Sequence, residues 1–161
     1  MAQDIFRKIL NQAQNSKDIL LLNNNYTYGE FYEQTQIYSS FLKNNFKKNN
    51  ILAICMNYSE KLILLIFACY LNKIKFTIIN PNSSEKEKKS VIKDCKANGI
   101  FFDNNLIKLN KYHNFKNINF SKISEKINKK IINKDLCLIY TSGTSGVSKG
   151  VILTINSLSN N

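Results

Sequence analysis

The amino-acid sequence predicts an α/β fold, a mixed or parallel sheet flanked by helices. Short Ile-rich apolar runs alternate along it with stretches of helical periodicity, the pattern of strands joined by crossover helices. Two of the helical stretches open on capping boxes, which mark where they begin. With 43% hydrophobic residues among 161, the chain has enough apolar side chain to fill the core of one domain.

The first clear helix opens at Thr27, which forms a capping box with Glu30. Phe31, Thr35, Tyr38 and Leu42 then recur at helical spacing as far as the Lys-Asn run near Asn45. Ile51 to Cys55 reads as a buried strand. Asn57 and Ser59 supply a turn and a cap for a helix from Glu60 to Leu71, apolar almost all round and so expected to be buried on several sides. Phe76 to Ile79 is the next strand, closed by Pro81. Ser84 and Glu87 make the second capping box, for a helix running to Lys96 and ended by Gly99, after which Ile100 to Phe102 form a short strand. From about 103 to 134 the pattern dissolves into a Lys/Asn-rich surface excursion, with room for one short strand and one weak helix. Strand character returns at Leu136 to Tyr140 and again at Val151 to Leu153.

The net charge of +12 would ordinarily suggest a nucleic acid or an anionic membrane as partner. The chain has 22 Lys, 22 Ile and 25 Asn against one Arg and one Pro, and those three abundant residues share codons dominated by A and T. Residues 1–42 carry Arg7, Lys8 and Lys17 against Asp4, Asp18, Glu30 and Glu33, so the surplus is lysine scattered over the rest. Phosphate and guanine recognition lean on the bidentate fork of arginine, so a nucleic-acid module ranks last among the readings. Cys55, Cys69, Cys95 and Cys137 lie 14, 26 and 42 positions apart, without a C-x-x-C pair, which argues against zinc. His113 reads as a solvated surface residue, and Lys73 as a solvated turn residue. The longest apolar stretch, Leu62 to Leu71, has ten residues, where a bilayer span needs about 18 to 20. With no secretory pattern at Met-Ala-Gln-Asp, a cytoplasmic location is expected.

The chemistry concentrates between the last two strands. Three of the five glycines fall in Thr141-Ser142-Gly143-Thr144-Ser145-Gly146-Val147-Ser148-Lys149-Gly150. Glycine lets backbone N–H groups close around an anion, the hydroxyls add neutral donors, and lysine adds a point charge: the makings of a polyphosphate cradle. The Walker A pattern is not met, since Ser148 stands where glycine should precede the lysine. Nor does the loop enter a helix. On these residues alone, a plain hairpin loop built of turn formers stays open as the alternative.

Leu138-Ile-Tyr-Thr-Ser-Gly-Thr-Ser-Gly-Val-Ser-Lys149 resembles the signature phosphate loop of the adenylate-forming superfamily: acyl-CoA synthetases, adenylation domains of peptide synthetases, and luciferase. The rest follows in order. Tyr26-Thr-Tyr-Gly-Glu-Phe31 resembles the family's opening helix, Ile51 to Glu60 its strand followed by N-S-x-E, and Ala68 to Pro81 its helix, strand and terminal proline. The sequence departs where the family usually has glycine, at Lys73, proline, at Ile78, and histidine, at Ile155. In relatives that histidine lies near the acyl substrate, so its loss puts substrate handling in doubt.

The resemblance implies that residues 1–161 are the incomplete N-terminal part of the family's large domain. The remainder of that domain and the small C-terminal lid domain, with the segments for adenine, ribose, magnesium and the adenylation lysine, have no counterpart in this sequence. The implied function is that of the N-terminal segment of an ATP-dependent, AMP-forming acid–thiol ligase. Thr141, Ser142, Gly143, Thr144, Ser145, Gly146 and Lys149 would hold ATP; no catalytic residue and no metal ligand is assigned. ATP and magnesium are the implied cofactors, a carboxylic or amino acid the substrate, and CoA or a pantetheinylated carrier protein the acceptor. Turnover by this stretch alone is not expected. The rival from another class is a non-catalytic phosphate-binding or scaffolding remnant.

Overall fold

The computed structural model describes residues 5–16, 19–20, 26–102, 105–108, 135–141 and 149–159. In chain order the elements are α1 (Ile5–Asn15), β1 (Ile19–Leu20), β2 (Tyr26–Thr27), α2 (Tyr28–Asn45), β3 (Ile51–Cys55), α3 (Glu60–Asn72), β4 (Lys75–Ile79), α4 (Glu85–Asp94), β5 (Gly99–Phe102), β6 (Asn105–Lys108), β7 (Asp135–Thr141), β8 (Lys149–Thr154) and α5 (Ile155–Ser159). Six strands form one sheet in the order β6-β5-β3-β4-β7-β8, and β1 pairs with β2 in a separate ribbon. The four inner strands are parallel, while β6 and β8 are antiparallel edges, so the sheet is mixed.

Strand alternation divides the core in two. Leu52, Ile54, Phe76, Phe101 and Cys137 point into the larger cluster, which includes Leu10 and Ala13 of α1, Phe41 and Leu42 of α2, and Leu65 and Tyr70 of α3. Ala53, Cys55 and Ile79 point the other way, against Val91 of α4. Helices therefore cover both faces, as the alternating pattern requires.

Both predicted capping boxes are present. Thr27 N and Oγ1 donate to Glu30 at 2.8 and 2.9 Å, and these bonds hold the Glu30 carboxyl below its ordinary range, the backbone donor contributing most. Ser84 and Glu87 repeat the arrangement at the start of α4. Ser59 caps α3 as expected. On the seam between α2 and α3, Asn72 Nδ2 donates to the Ser39 carbonyl and hydroxyl at 2.8 Å, satisfying polar groups that the packing would otherwise strand.

Three details correct the sequence reading. The helix expected to reach Lys96 ends at Asp94, and Gly99 is not its terminator. Lys96 takes the left-handed turn itself, at φ 52°. Asn98 then docks on β3 through its amide to the Ile51 carbonyl at 2.7 Å and its side chain to the Ile51 amide at 2.8 Å, so Gly99 already opens β5. Helix α1 has no counterpart among the sequence expectations, although Phe6, Ile9, Leu10 and Ala13 keep helical spacing; Phe6 stacks on Tyr70 with centroids 5.0 Å apart. The β1–β2 ribbon and α5 are too short for a periodic signal.

Within the excursion, the short strand is β6, with Lys108 opposite Gly99. The weak helix expected further on, and His113, lie outside the described residues. All four cysteines are buried, and burial pushes the thiols of Cys69, Cys95 and Cys137 above their ordinary range. No helix among the described residues is long and apolar enough to cross a membrane.

Candidate functional site

The parallel strands β3, β4, β5 and β7 all end at one edge of the sheet. Strand β3 leads into α3 on one face and β4 into α4 on the other, so adjacent strands send their connections to opposite sides. In open α/β sheets such a switch point at the carboxyl edge is where ligands bind. Beside it, β7 delivers the chain into the Ser/Thr/Gly-rich segment.

Strand β8 returns antiparallel to β7, with Thr141 opposite Lys149, Tyr140 opposite Gly150 and Ile139 opposite Val151. The structure thus sets Thr141 and Lys149, the outermost predicted site residues, against each other as the last register pair. The predicted site residues Ser142, Gly143, Thr144, Ser145 and Gly146 lie outside the described residues. The segment joins two strands instead of entering a helix, as the sequence indicates. At the opposite end of β7, Lys75 Nζ meets Asp135 Oδ2 at 3.0 Å.

Next to the Thr141–Lys149 pair, the Tyr140 ring lies over Gly150. A Cβ added at Gly150 would stand 3.0 Å from the ring, so a larger residue there requires the ring to give by a few tenths of an ångström. The Tyr140 hydroxyl donates to Asp94 Oδ2 at 2.6 Å, across 46 positions of sequence. Partial burial first, and then the carboxylate it donates to, push the phenol above its ordinary range. In the sequence Tyr140 reads only as a core aromatic, and this contact is missed. The sequence signals only the Tyr140–Gly150 pairing, since the two stand equally far from the middle of the loop and become partners in a symmetric hairpin.

The three departures from the family pattern have distinct surroundings. Lys73 is the αL cap of α3, at φ 56° and ψ 37°, a conformation that favours glycine. Ile78 is exposed on β4, and Ile155 is buried at the start of α5. Among the described residues no three His, Cys, Asp or Glu side chains converge.

The family model for the AMP-binding enzymes matches residues 9–161. No curated protein matches the chain. Among solved structures, the N-terminal subdomain of Klebsiella oxytoca NpsA in complex with 3-hydroxyanthranilyl-AMSN is similar at 22% identity and TM-score 0.75, over 94% of this chain and 40% of that one. O-succinylbenzoate CoA synthetase (MenE) from Bacillus subtilis, in complex with the acyl-adenylate intermediate OSB-AMP, is similar at 19% identity and TM-score 0.70, over 91% and 42%. An artificially fused adenylation–PCP di-domain from Klebsiella oxytoca, NpsA-ThdA, is similar at 18% identity and TM-score 0.74, over 96% and 33%. The chain spans less than half the length of each of these structures.

Proposed function

This chain belongs to the AMP-binding enzyme family, and we propose that it is the N-terminal segment of an ATP-dependent, AMP-forming acid–thiol ligase that contributes the loop holding the triphosphate. The observation that carries the proposal is the register of β7 and β8. Thr141 and Lys149 close a Ser/Thr/Gly-rich segment as a paired neck at the carboxyl edge of the parallel strands. That edge is where a ligand would meet backbone donors from several loops.

In the proposed reaction a substrate carboxylate attacks the α-phosphorus of ATP, the α–β bridging bond breaks, and pyrophosphate leaves with its electron pair. A thiol of CoA or of a carrier pantetheine then displaces AMP and leaves a thioester. The loop acts in the first half: backbone N–H groups, the hydroxyls of Thr141, Ser142, Thr144 and Ser145, and Lys149 bind the β and γ phosphates and stabilise charge on the departing pyrophosphate. Gly143 and Gly146 let the backbone approach. Magnesium, when bound, would add charge neutralisation at the same phosphates. The acyl-adenylate ligand of MenE supports the first half, and the adenylation–PCP fusion supports a carrier protein as one acceptor. Four cysteines buried among apolar side chains support a reducing, cytoplasmic setting.

The test is ATP binding by the 161-residue chain and its Lys149→Ala variant, followed by calorimetry, with circular dichroism as the folding control. Loss of one charge-assisted phosphate contact is expected to weaken binding on the order of tenfold or more, with the fold unchanged. Equal affinity in the variant removes Lys149 from the site. Pyrophosphate exchange with a panel of amino and fatty acids then reads whether this segment supports the first half-reaction.

A further inference from the structure

We propose that Tyr140 is a positioning residue of the phosphate loop, fixing the neck of the β7–β8 hairpin to the end of α4 through its hydrogen bond to Asp94. This rests on the phosphate-binding reading of the loop. Three features of the structure bear on it.

The first is the contact itself, at 2.6 Å, between residues on elements that are not sequence neighbours. Bonds from a hydroxyl to an ionised carboxylate are the short, strong class. The second is Gly150. A Cβ there would stand 3.0 Å from the ring, so a side chain on the facing strand would press the ring from its present course toward α4. The third is the place of Asp94, the last residue of α4. An acid at a helix C-terminus faces the negative end of the macrodipole and weakens the helix. What Asp94 gains there is the Tyr140 hydroxyl.

The neck needs such a fixing point. Beyond β7 the sheet has, among the described residues, one further strand, β8, and Ile139, Val151 and Ile152 are 47, 51 and 57% exposed, so little apolar burial holds the loop end in place. Tyr140 instead joins the cluster of Ala53, Cys55, Ile79 and Val91 beneath α4. Its ring and hydroxyl tie β7 to the helix one residue before the Thr141–Lys149 pair. Donors that must meet a triphosphate within a few tenths of an ångström depend on such outlying supports.

The experiment compares the 161-residue chain with Tyr140→Phe, Asp94→Ala, Asp94→Asn and the Tyr140→Phe/Asp94→Ala double variant. Two readouts are taken: calorimetric affinity for ATP, and hydrogen exchange at the backbone amides around the Tyr140–Gly150 pair. Tyr140→Phe and Asp94→Ala are each expected to raise exchange at the neck and to weaken ATP affinity about tenfold, the scale of a lost bond to a charged acceptor. The double variant should be no weaker than either single one. Asp94→Asn, which keeps an acceptor oxygen, should retain most of the affinity, a rescue that a purely structural loss would not give. Exchange at β3 and β4 should not change. Unchanged exchange at the neck in Tyr140→Phe overturns the fixing contact, and faster exchange with unchanged ATP affinity overturns its positioning role. Absence of ATP binding in the unaltered chain removes the phosphate reading and this role with it. The two failures are distinguishable, since one is seen in the parent chain and the other only in the variants.

Discussion

The two ends of the sheet are held together by different physics. Around β3 and β4, helices cover both faces and the side chains interlock: Leu52, Ile54, Leu65 and Ile74 are fully buried. Where β7 and β8 approach the loop, Ile139, Val151 and Ile152 stand in solvent and the placement leans on the contact of Tyr140 with Asp94, while the far end of β7 is held by buried Leu136 and Cys137 and by the Lys75–Asp135 pair. One half is stable through the sum of many weak contacts. The loop end of β7 and β8 leans more on directional contacts, and it is the end that carries the proposed chemistry. A site built on such an end can be disturbed without unfolding the molecule.

The sharpest way to break the comparison is to damage the packed half. Leu65→Ala on α3 removes a side chain with no exposure from the larger cluster. The expected loss is about 3 kcal/mol, transfer and cavity terms together, read as a lower urea midpoint. A loss under about 1 kcal/mol would mean that this half is no better packed than the hairpin, and the contrast would disappear.

Gly150→Ala probes the other half with a smaller change. The added methyl would stand 3.0 Å from the Tyr140 ring, and the ring, not the strand, is what can yield. Displacing it lengthens the bond to Asp94, so the expected cost is about 1 kcal/mol, concentrated in faster amide exchange at the neck while β3 and β4 stay protected. Uniformly faster exchange would show that the hairpin and the core unfold as one unit, with no division between the two halves.

The same division governs what is legible in the sequence. Strands β3, β4, β5, β7 and β8 and helices α2, α3 and α4 announce themselves because apolar periodicity and capping boxes are local signals. The glycines, hydroxyls and lysine of residues 141–150 are a local signal too, suited to a phosphate cradle or to a plain hairpin loop, and the family resemblance is what favours the first. The contact of Tyr140 with Asp94 is not legible, because two residues 46 positions apart meet only once β7 is in register and α4 is laid across the sheet. Helix α1 has the spacing of Phe6, Ile9, Leu10 and Ala13 but no cap or charge pattern to mark its ends. The end of α4 misleads because Gly99 is the obvious terminator, whereas a lysine takes the left-handed position.

That substitution of lysine for glycine yields the smallest prediction. Three non-glycine residues among those described have positive φ: Asn49, Lys73 and Lys96. Lys73 stands where the family pattern has glycine, and its φ of 56° shows what glycine does there. A side chain in this conformation costs roughly 1–2 kcal/mol, partly offset because glycine loses more chain entropy on folding. Lys73→Gly is therefore expected to raise stability by about 0.5–1 kcal/mol, seen as a higher urea midpoint with an unchanged slope. A lower midpoint would mean that the lysine side chain makes compensating contacts at the end of α3. The packed half can carry this backbone penalty because burial around it is extensive. At Gly150 an added methyl would instead push on the ring that fixes the hairpin. Glycine is replaced where its absence costs only stability, and kept where its absence would move the neck of the proposed phosphate loop.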